Sequence, residues 1–141
     1  MRVPTETLTM TAAGPRVAVV PDDVAVDRLT ELLVARDRDA AWWRRLAACV
    51  DGVAAAVAAH GTDPDAYCRP CRPGGAPDPV QRVLHEDHAR IADELAALRA
   101  ALHHAETTPG GTTAVLAGCT QVIALVRDHG RRARRAALPP S

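Results

Sequence analysis

Four stretches of apolar residues recurring at steps of three and four, parted by one short charged connection and two rich in Pro or Gly, set the narrowest bound on what this 141-residue chain can fold into. That step gathers side chains on one face of an α-helix, whereas a strand would scatter them over both of its faces. The first stretch runs from Asp22 to about Arg36 and carries Val26, Leu29, Leu32 and Leu33. It follows Pro21 and opens on two Asp, which suits a helix end whose free N–H groups favour negative charge. A charged connection from Arg36 to Ala41 leads to the second, with Trp43, Leu46, Val50, Val53, Val57 and His60, ending near Gly61. The third runs from about Asp78 to His104 through Leu84, His88, Ile91, Leu95, Leu98 and Leu102. The fourth runs from about Thr112 to Ala137 through Val115, Cys119, Val122, Val126, His129 and Ala133, and Pro139 and Pro140 stop it. Four such seams predict an all-α, antiparallel up-down-up-down four-helix bundle over residues 21–141. Residues 1–20, with Pro4, Gly14 and Pro15 and no helical period, are expected to be a flexible, disordered N-terminal tail.

Composition narrows the field further. Hydrophobic residues make up 48% of the chain, but 29 of them are Ala, Phe is absent, and the only aromatics are Trp42, Trp43 and Tyr67, which argues against a β-sandwich. Seventeen basic residues cancel seventeen acidic ones, so no global field gathers nucleic acid or an anionic membrane. No run approaches the ~20 apolar residues of a membrane span, and Met1 to Arg16 lacks the apolar run of a signal peptide. A cytoplasmic protein is expected. In that compartment Cys49, Cys68, Cys71 and Cys119 read as thiols, metal ligands or core filler rather than disulfides.

The second and fourth stretches also echo one another. Leu-Ala-Ala-Cys49 and Leu-Ala-Gly-Cys119 occupy matching places, His60-Gly61 and His129-Gly130 close each, and Pro70 and Pro139 stand ten residues beyond each His. In an antiparallel bundle His60 and His129 lie near the C-terminal ends of their helices. His88 lies about ten residues into the third helix, which starts at that same end. All three occupy seam positions, so three imidazoles should meet at one depth inside the bundle. A lone inward His is usually a hydrogen-bonded core residue, but three at one level offer three ring nitrogens to a transition metal.

With these residues in place the chain resembles the hemerythrin-like (HHE) cation-binding domains, over about residues 22–140. His60 with Pro70, Asp87-His88 with Ile91 and Leu95, and His129 with Pro139 stand where that family's pattern asks. The resemblance implies a non-haem iron protein that binds dioxygen or senses oxygen, nitric oxide or redox state. The chain departs from the pattern in its ligands. No His precedes His60, and Val26, or Arg28 in another register, takes the first-helix ligand's place. The family's bridging carboxylates fall on Pro64 and Ala133, with Asp65, or else Asp63, as a replacement for the first. Arg131, Arg132, Arg134 and Arg135 crowd the turns after His129 and are expected to oppose a nearby dication. The expectation is a reduced site of His60, His88, His129 and Asp65 holding one iron rather than two, or a zinc, with an open position for a small diatomic ligand. The same residues also fit a metal-free bundle serving as an interaction or structural protein.

Other features compete for a role. Cys68-Arg-Pro-Cys71 has the spacing of a redox pair or half a zinc site, on a loop rather than at a helix N-terminus. His85 lies one turn before His88, at the seam edge, as a fourth ligand or a surface residue. His103 and His104 close the third helix, where cationic character suits the dipole. Neighbouring Trp42 and Trp43 cannot both face the core, so one should plug it and leave the other for a partner. No nucleophile, base and oxyanion constellation is visible, so hydrolytic or transfer catalysis is not expected.

Overall fold

The computed structural model describes residues 21–62, 79–105 and 107–137. They form four helices: α1 (Pro21–Leu33), α2 (Ala40–Thr62), α3 (Pro79–His104) and α4 (Gly111–Ala137). The N-terminal stretch 1–20 and the Pro-rich segment 63–78, with Asp65, Cys68 and Cys71, lie outside the described residues. None of the described helices is long and apolar enough to cross a membrane.

The helices pack as a closed ring, each against its neighbours in sequence, with α1 also packed on α4. Cross-helix contacts give their directions. Asp51 of α2 meets Arg99 of α3 while His60 meets His88, so α2 and α3 run oppositely. Along α1 and α4, Asp23 pairs with Arg134 and Asp27 with Arg127, again in opposite senses. Asp87 meets Arg132 at one end of α3, and Ala105 lies against Gly111 at the other. Neighbouring helices are therefore antiparallel around the ring.

The seams fill the interior. Val26, Leu29, Leu46, Val50, Val53, Val115, Cys119 and Val122 are fully buried, with Ile91, Leu98 and Val126 nearly so. Each such side chain contributes about 1.5–3 kcal/mol through removal from water. At Gly118 the Leu98 side chain of α3 packs close on the α4 backbone: a Cβ there would lie 3.1 Å from Leu98 Cδ1.

α1 ends at Leu33, not Arg36, because the Ala35 N–H bonds back to the Leu32 carbonyl at 3.2 Å and tightens the chain into a turn. α2 starts at Ala40, before the tryptophans, because the Asp39 carboxylate accepts the Trp42 backbone N–H at 2.8 Å and caps it. Trp42, not Trp43, is the plug. It is fully buried, its indole Nε1–H donates to the Leu32 carbonyl at 2.9 Å, and Trp43 lies edge-on to it, half-buried. The donor decides between two positions that fit the helical step equally well: Trp42 brings its N–H to the Leu32 carbonyl at the end of α1, which takes it beside the Ala35 N–H. At the same end, α3 passes to α4 through Gly110, whose φ of +74° favours glycine, and Gly111, where a Cβ would fall 2.5 Å from the Ala105 carbonyl oxygen.

Candidate metal centre

The end of the bundle opposite Trp42 is polar. His60 comes from the last turn of α2, His88 from the third turn of α3, and His129 from two turns before the end of α4. The antiparallel packing brings these three places to one level. His60 and His129 are each 2% exposed, and His88 is half-buried. Nε2 of His129 stands 3.0 Å from Nε2 of His88 and 3.3 Å from Nε2 of His60. The ring centroids are 4.5–5.3 Å apart, and the rings are inclined to one another instead of stacked. Each residue offers a ligand atom within 4.8 Å of the other two.

The two spacings at His129 are those a cation would set. A metal–nitrogen bond of ~2.1 Å with angles between ~90° and ~109° sets neighbouring ligand nitrogens ~3.0–3.4 Å apart. The donor chemistry fits as well, since three neutral imidazoles suit a late or middle first-row divalent ion and not a hard ion such as Mg²⁺ or Ca²⁺. His88 is held neutral: burial first, then its neighbours His129, His60 and His85, lower its pKa from 6.5 to about 4.

Asp87 is the functional residue that the seam reading passed over. It is 6% exposed and faces α4. Its Oδ2 takes Nδ1 of His129 at 3.3 Å and Nε of Arg132 at 2.9 Å, and its Oδ1 takes a terminal nitrogen of Arg132 at 2.7 Å. Burial pushes the Asp87 carboxyl up, but hydrogen bonds from Arg132 and His129 and the Arg132 charge outweigh it, and the group sits below the usual carboxylate range. A signal for it existed in the sequence. Leu84, Asp87, Ile91, Leu95 and Leu98 step by three and four as regularly as the series through His88, and these five are the buried residues of α3.

Arg132 therefore faces a carboxylate and does not oppose the centre as expected of it. The other expected opponents are also spoken for in two cases: Arg131 pairs with Asp128 and Arg134 with Asp23. The outer side of Arg132 borders an open groove of about 450 Å³, shared with Val80, Val83, Leu84 and Arg135.

Most of the remaining candidates separate from the centre, while His85 stays near enough to His88 to help lower its pKa. His85 is exposed on α3, and His103 and His104 are exposed at its far end, edge to face with each other. Cys119 is buried and burial raises its thiol to about 11, while Cys49 is half-buried and also raised, chiefly by burial, so both remain protonated core residues. Val26 is fully buried. No family model matches the chain, and neither a curated protein nor a solved structure matches it.

Proposed function

We propose that this chain is a hemerythrin-like metal-binding bundle with a reduced ligand set, holding one transition-metal ion through Nε2 of His60, His88 and His129. The observation that carries the reading is the convergence of the His88 and His60 nitrogens on His129 Nε2, at 3.0 and 3.3 Å, inside the polar end of the bundle. The resemblance of the His60, Asp87-His88 and His129 contexts to the family points the same way. One ion is favoured over two because Pro64 and Ala133 stand where bridging carboxylates are needed. Iron(II) is the first choice and zinc(II) the second; iron supplies affinity for dioxygen or nitric oxide, zinc a Lewis acid. The chain's own residues hold the ion, keep an open position beside half-buried His88, and exclude water from His60 and His129. Asp65, expected from the sequence as a further ligand, lies outside the described residues. The role that follows is binding or sensing of a small diatomic gas or of redox state.

Elemental analysis of protein purified without an affinity tag tests this, with His88→Ala as the control. About one equivalent of metal in the native chain and a small fraction of that in the variant is the expected result. Substoichiometric metal in both abandons the reading.

One observation favours a second reading. Nε2 of His129 is within hydrogen-bonding reach of Nε2 of His88 and of His60, and its Nδ1 of Asp87, so the rings can pair through His129 without a cation. A metal-free bundle acting as an interaction or structural protein would keep its melting temperature unchanged on treatment with chelators.

A further inference from the structure

His129 occupies a special place among the three rings, because its Nε2 touches both of the others while its Nδ1 is held from behind. The holder is Asp87, a buried carboxylate whose two oxygens take three donors: Nδ1 of His129 and both prongs of the Arg132 fork. Asp87 stands one residue before His88, and Arg132 stands three after His129 on the same face of α4. The two helices thus present a ligand and its brace together.

We propose that Asp87, braced by Arg132, is a positioning residue that fixes His129 in the Nδ1–H tautomer, so that its Nε2 lone pair points at His60 and His88. The inference rests on the metal reading for its use, while the tautomer itself is a property of the metal-free protein.

The chemistry leaves little latitude. An ionised carboxylate has no proton to give, so a contact with Nδ1 forms only when that nitrogen carries the hydrogen. A neutral imidazole protonated at Nδ1 is a lone-pair donor at Nε2, the atom that faces the cluster. Arg132 supplies the charge and two of the three hydrogen bonds that let a carboxylate remain ionised away from water. A purely structural ion pair would need neither His129 nor a choice of oxygen. Here Oδ2, the oxygen bound by Arg132 Nε, also takes the imidazole, so guanidinium, carboxylate and ring form one chain leading to the centre. Carboxylates placed behind metal-ligating histidines commonly change metal affinity by 10–100-fold when removed.

Asp87→Asn is the informative variant. It keeps the size of the side chain, loses the charge, and can turn an amide N–H towards Nδ1, which would force the hydrogen onto Nε2. Two readouts apply to the full chain. The first is ¹⁵N NMR of the histidine rings in metal-free protein near neutral pH. The expected spectrum has His129 protonated at Nδ1 in the native chain and at Nε2 in Asp87→Asn, with Arg132→Lys keeping the native tautomer. The second is zinc affinity by competition with a chromophoric chelator, expected to fall 10–100-fold in Asp87→Asn and by less in Arg132→Lys. A native His129 carrying its hydrogen on Nε2 overturns the inference outright, and that result needs no folded variant. Native zinc affinity retained within twofold by a folded Asp87→Asn overturns it too. If the native chain binds no zinc but shows the expected tautomer and its reversal in the variant, the metal reading falls and the positioning stands.

Discussion

The two ends of the bundle solve the same closure problem with opposite materials. At one, Trp42 fills the interior and its single polar atom is satisfied by the Leu32 carbonyl at 2.9 Å. At the other, three imidazoles, a carboxylate and a guanidinium gather, and apolar packing shrinks to a small separate cluster of Leu84 and Ala133. Apolar closure stabilises through burial alone. Polar closure stabilises less per atom and demands that every donor and acceptor find a partner. A bundle that needed only stability would close both ends the first way, so the histidine end is the place to look for function.

The sharpest way to break this comparison is to empty the apolar end. Trp42→Ala is expected to cost about 3–5 kcal/mol in urea denaturation, the range for deleting a buried aromatic side chain, while Trp42→Phe should lose about 1 kcal/mol through the hydrogen bond to Leu32. If Trp42→Ala is nearly neutral, the two ends do not differ in the way described. At the polar end, Asp87→Ala should cost about 1–3 kcal/mol. That is less than the full loss of a buried ion pair, because Arg132, with 42% of its side chain exposed, can turn to water. A cost above that of Trp42→Ala would make the polar end the principal support of the fold.

Acid separates the ends without mutation. His88 titrates near 4 when folded, against 6.5 ordinarily, because of burial and its neighbouring histidines. Between those values the unfolded chain binds a proton that the folded chain does not. Stability of the metal-free protein is therefore expected to fall as pH drops through that window, by at most about 1.4 kcal/mol per unit for this one group. Denaturation midpoints measured between pH 4 and 7 should show the slope and show it reduced in His88→Gln; an unchanged slope would place its origin elsewhere. The smallest effect lies between the ends, where Arg99 and Asp51 pair at 2.7 Å in the open. A double-mutant cycle there should return about 0.2–1 kcal/mol, a baseline for how little an exposed ion pair contributes.

The helices were legible because their seams repeat over many turns, and the three histidines were legible because each sits on a seam at a computable height. What escaped the sequence depends on partners far along the chain. Asp87 and His88 both fit the helical step, and a charged residue beside an apolar seam ordinarily belongs to the solvated flank. Only the fork of Arg132, 45 residues later, makes the interior habitable for a carboxylate. The same long-range fact turns Arg132 from an expected opponent of the centre into part of its support. Trp42 and Trp43 posed the same ambiguity, and a carbonyl ten residues earlier resolved it. Asp65, Cys68 and Cys71 fall outside the described residues, and their sequence-based expectations stand as such.

Diffraction from crystals grown with one equivalent of zinc, recorded on both sides of the zinc absorption edge, tests the metal centre most directly. One anomalous peak lying ~2.0–2.2 Å from Nε2 of His60, His88 and His129 alike is the expected result, with Asp87 still on Nδ1 of His129. Those rings remaining in mutual contact with no peak between them, or a peak bound elsewhere on the chain, would contradict it.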